Sequence, residues 1–74
     1  MYFEDSSGAV ILRDDLFDLK INSDRKIYMK PESEQQFKLV TPELVPKGFT
    51  YQQKKEVLIN LNQRIRRNAQ LEGQ

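Results

Sequence analysis

From Tyr51 to Leu71 the chain runs without a glycine or a proline, two residues after a stretch, TPELVPKG, that holds two prolines within five residues. Proline bars both continuous helix and a central strand. The two stretches therefore divide the chain into unlike parts. At about 100° per residue, Tyr51, Val57, Leu58, Leu61, Ile65 and Ala69 fall within an arc of about 120°. Lys54, near the helix start, and Asn68, near its end, also fall in that arc. Thr50 is a good N-cap, and Gln53 three residues on completes a capping box. Gly73 suits a C-terminal stop. A helix with such a stripe needs an apolar surface to bury it against, and residues 1–40 are the part of this sequence that can supply one.

Those residues read as strands. Asp5, Ser6, Ser7 and Gly8 form a turn between Tyr2–Phe3 and Ala9–Arg13. In LFDLKIN, Phe17, Leu19 and Ile21 alternate with Asp18, Lys20 and Asn22, the period of a half-buried strand. The polar NSDRK makes a turn, and IYMK resumes the pattern with Ile27 and Met29. PESEQQFKLV has two readings. Pro31, Glu32 and Glu34 suit a helix start. The favoured alternative is a loop followed by a short strand carrying Phe37 and Leu39. Leu44 and Val45 are candidates for tethering the connector to the core. The expected fold is α+β: a small antiparallel meander of three or four strands over residues 1–40, a connector over 41–49, and one long amphipathic helix over 50–72 packed on the sheet. Phe17, Leu19, Ile21, Ile27 and Met29 are expected to meet Val57, Leu58, Leu61, Ile65 and Ala69.

With 74 residues, the chain suits one domain with a thin margin of stability. It contains no Cys and no His, so disulfides and the commonest zinc ligands are excluded. The usual general base and the strongest nucleophile are missing as well. No catalytic residue, no cofactor and no metal site is expected. Asp14, Asp15 and Asp18 cluster, but their spacing matches no calcium loop, and they read as solvated turn and strand residues. No apolar run is long enough to span a bilayer, and nothing resembles a signal peptide. The expected location is cytoplasmic, with no membrane partner.

Charge is distributed unevenly. Residues 1–46 carry six Lys/Arg against nine Asp/Glu, a net of −3, and residues 47–74 carry six against two, a net of +4. This pattern fits a polar partner, and equally fits two halves that attract each other. Three functions follow. The leading one is a non-catalytic binding or regulatory module acting on a larger protein or assembly. Its contact would be the helix face around Ile59, Gln63, Arg66 and Arg67, since interfaces favour apolar and Arg side chains. The second is nucleic-acid binding by Lys47, Lys54, Lys55, Arg64, Arg66 and Arg67 on phosphates. Against it, these cations form no single stripe, and Arg64, Arg66 and Arg67 also suit the negative end of the helix dipole. The third is a structural subunit completed in a homo-oligomer. Leu58, Leu61, Ile65 and Asn68 take heptad-like positions, and open sheet edges offer a further contact surface.

Overall fold

The computed structural model describes the backbone of residues 1–72 and the side chains of residues 1–68. Among the described residues the chain forms five strands and one helix: β1 (Tyr2–Glu4), β2 (Val10–Arg13), β3 (Phe17–Ile21), β4 (Ile27–Pro31), β5 (Lys38–Thr41) and α1 (Tyr51–Glu72). The strands form one antiparallel sheet in sequence order, a simple meander. The fold is α+β, with the helix packed on one face of the sheet.

The expected count of three or four strands is corrected to five. Both edge strands give weak sequence signals. β1 has three residues, and β5 follows a segment that also resembles a helix start.

Alternation sets which side chains face the helix. Val10 pairs with Ile21, which pairs with Ile27; Leu12 pairs with Leu19, which pairs with Met29. Facing residues in adjacent strands share a side of the sheet, so these rows build one apolar face. Val10, Leu12, Phe17, Leu19, Ile21 and Ile27 are buried there, together with Leu58 from α1 and Val45 from the connector. Tyr2, Met29, Phe49, Val57, Leu61 and Ile65 pack around them, partly buried. β2 supplies Val10 and Leu12 to this core. The unbroken run AVIL hides their alternation in the sequence.

One member of the expected helix stripe is placed differently. Tyr51 is exposed at the first helical position, and Phe49, just before the cap, packs on the core instead. The side chain of Ala69, and Gly73, lie outside the described residues. The capping box is present: the Thr50 amide donates to Gln53 Oε1 at 2.9 Å, and the Gln53 amide donates to Thr50 Oγ1 at 3.2 Å.

The turns are built by aspartates. Asp5 Oδ1 accepts from the Ser7 amide, the Ser7 hydroxyl and the Ala9 amide, and Gly8 takes a φ of 88°. In the β3–β4 turn, Arg25 takes a φ of 67°, while Asp24 accepts from the Lys26 amide and the Tyr28 hydroxyl. That turn holds the connector. The Val45 amide donates to the Arg25 carbonyl at 2.7 Å, and Val45 is buried beside it. Leu44, the other expected tether, is 50% exposed.

Candidate functional site

The helix covers only part of the sheet. α1 packs mainly on β2 and β3, and the β4–β5 side of the same face is left open. The result is a cleft of about 310 Å³ between α1 and β5. Ile27, Val40, Val57 and Leu61 give it apolar walls, and Thr41, Glu43, Asn60 and Arg64 supply its polar groups. β5 is the last strand of the sheet, so one side of its backbone has no partner strand. Leu39 is 50% exposed and Val40 39%. A β-bulge between Ile27 and Tyr28 offsets β5 from β4, and bulges sharpen the local twist of a strand.

The opposite flank of α1 is closed by charge. Arg66 Nη2 donates to Asp14 Oδ2 and, at 2.7 Å, to Asp15 Oδ1. Arg66 Nε donates to Asp14 Oδ2 and to Asn62 Oδ1, both at 3.1 Å. Asn62 Nδ2 also donates to Asp14 Oδ2, at 3.2 Å, and the Asp15 amide donates to Asp14 Oδ1. The guanidinium sits 6.0 Å from the centre of the Phe17 ring. Its hydrogen bond, joined by those from the Asp15 amide and Asn62, holds the Asp14 carboxyl far below the usual carboxylate range. The same contact raises Arg66 above the ordinary guanidinium value. Asp14 is thus an anchor for the helix, a correction to the expectation that it is merely solvated, while Asp15 also pairs with Arg66 but stays largely exposed. They join the acidic half of the chain to the basic half.

The expected contact residues split between these environments. Arg66 is held by the two aspartates, Ile59 is half-buried, and Gln63 and Arg67 are exposed. At about 100° per residue, Ile59, Gln63 and Arg66 share the flank turned away from the cleft, and Arg67 lies on the crest of the helix. The six candidate phosphate-binding cations also diverge. Lys55 Nζ lies 5.0 Å from the centre of the Tyr2 ring, towards β1. Arg64 lines the cleft on the β5 side. Lys54 is half-buried, and Lys47 and Arg67 are exposed. The dipole explanation for the helix arginines is corrected, because the last turn of α1 carries no basic residue and the dipole acts within that turn.

The sheet face away from the helix bears Phe3, Ile11, Lys20 and Tyr28, which pair across neighbouring strands, with Leu39 beyond. Lys20 Nζ lies 4.2 Å from the centre of the Phe37 ring, and the Arg13 guanidinium 5.3 Å from that of Phe3.

Sequence reasoning pointed to open sheet edges but not to Val40, Thr41 or Glu43. The available signal was a short apolar strand, KLVT, that ends at a proline. Among the described residues no group of acids is arranged to hold a metal ion, and no helix is long and apolar enough to cross a membrane. No protein-family model, curated protein or solved structure matches this chain.

Proposed function

We propose that this chain is a small non-catalytic module that binds a larger protein, and that its contact surface is the cleft between α1 and β5 with the adjoining crest of the helix. The observation that carries this reading is the off-centre helix. It seals β2 and β3 and leaves an apolar floor beside an unpaired strand edge, bordered by Arg64 and Glu43. An apolar centre with a polar rim is the anatomy of a protein interface. The flank around Ile59 and Gln63 is a weaker candidate, because its arginine is engaged by Asp14 and Asp15.

Affinity capture from the native host, with mass spectrometry, tests the reading. Val40→Lys places a charge on an exposed edge side chain and should leave melting unchanged. The wild-type chain should retain a specific protein that Val40→Lys loses. Equal recovery by both would overturn the reading.

A second reading rests on the outer sheet face. Aromatic rings beside Lys and Arg form the kind of surface on which unpaired bases stack. That reading predicts single-strand binding at low salt that weakens steeply as salt rises. A gel shift against Lys20→Glu checks it, and failure to shift any oligonucleotide would dismiss it.

A further inference from the structure

We propose that the element this chain recognises is an extended segment of its protein partner, which pairs with the free edge of β5 as a sixth strand and directs an acidic side chain at Arg64. The inference rests on the protein-binding reading and deepens it by naming the partner's conformation and chemistry.

Three observations converge on one place. β5 terminates the sheet, and among the described residues its backbone makes no hydrogen bond to another part of the chain beyond its pairing with β4. Unpaired edge groups are a template for an added strand. The cleft runs beside that edge, with Val40, Val57 and Leu61 in its walls. A strand added there would send every second side chain into the cleft, at about 7 Å intervals. Arg64 also lines the cleft, and among the described residues it takes part in no ion pair. A planar guanidinium matches a carboxylate in two parallel hydrogen bonds. Glu43, on the rim, opposes a second acid nearby. The complementary segment therefore carries apolar side chains and one acid at alternate positions.

Two peptides test this: acetyl-Thr-Val-Thr-Val-Thr-Glu-Thr-amide and the same residues in reverse order, which cover both strand directions. Added to the nitrogen-15-labelled full chain, one of them should slow amide exchange within residues 38–41 by about tenfold or more at saturation. N-methylation of alternate peptide amides should abolish this. Replacing the peptide Glu by Lys should weaken binding by about tenfold or more, and Arg64→Glu in the protein should restore it. If Arg64→Glu does not fold, the Glu-to-Lys peptide still tests the charge contact. Absence of binding by both peptides at millimolar concentration, or binding indifferent to N-methylation, would overturn the proposal. So would protection of β5 that rises with protein concentration without peptide, because a second copy would then occupy the edge. A captured protein that is sensitive to Val40→Lys, yet leaves β5 exchange unchanged, would defeat this inference while sparing the protein-binding reading.

Discussion

Asp14 receives hydrogen bonds from Arg66, Asn62 and the Asp15 amide, and its pKa is pushed far down, first by the Arg66 contact. A carboxylate with a lowered folded pKa contributes stability that is present above its unfolded pKa. That contribution is lost as pH falls towards the folded value. Thermal stability should therefore decline between about pH 5 and pH 2. Asp14→Asn should be less stable than wild type at pH 7 and should show a flatter decline across that window. Melting curves at stepped pH check both. Gly8 gives a second test. Its φ is 88°, and a Cβ there would meet nothing within 4 Å. The cost of Gly8→Ala is then conformational and should be about 1–2 kcal/mol. A D-alanine introduced by synthesis should avoid it.

Among elements, α1 shows how far a helical wheel reaches. The stripe that includes Leu58, Leu61 and Ile65 was legible from spacing alone, and of these Leu58 is fully buried. The wheel treats Leu58 and Leu61 alike, since it describes the helix and not the width of the surface beneath it. In the structure Leu61 is half-buried at the wall of the cleft. Leu58→Ala should cost about 2–5 kcal/mol, nearly the whole margin of about 3–5 kcal/mol for a domain this small. Leu61→Ala should cost less, about 1–2 kcal/mol, because less of its surface leaves water. Denaturant melts of the two variants measure the difference, and equal losses would place both in a sealed core. The strands divide in the same way. Phe17–Ile21 and Ile27–Met29 announced themselves by alternation, whereas β1 and β5 are short and gain their structure from the neighbour they pair with. Asp14, Asp15 and Arg66 looked unrelated because a contact across some fifty residues leaves no local periodicity. The opposed charge of the two halves was its one trace in the sequence.

At the scale of the molecule, a meander of five strands offers more apolar face than one helix covers. α1 packs over β2 and β3, where Arg66 meets Asp14 and Asp15, and the uncovered remainder forms the cleft beside β5. Placement of the helix is thus the link between this sequence and a binding surface. Side-chain methyl NMR of the full chain measures it directly, with nuclear Overhauser contacts to locate α1 and a soluble paramagnetic agent to report exposure. Leu58 methyls should contact Leu19 and Ile21, while Val40 methyls should broaden strongly in the agent. Val40 shielded beneath α1, or Leu58 without contacts to β3, would contradict this placement and remove the cleft on which the proposed binding depends.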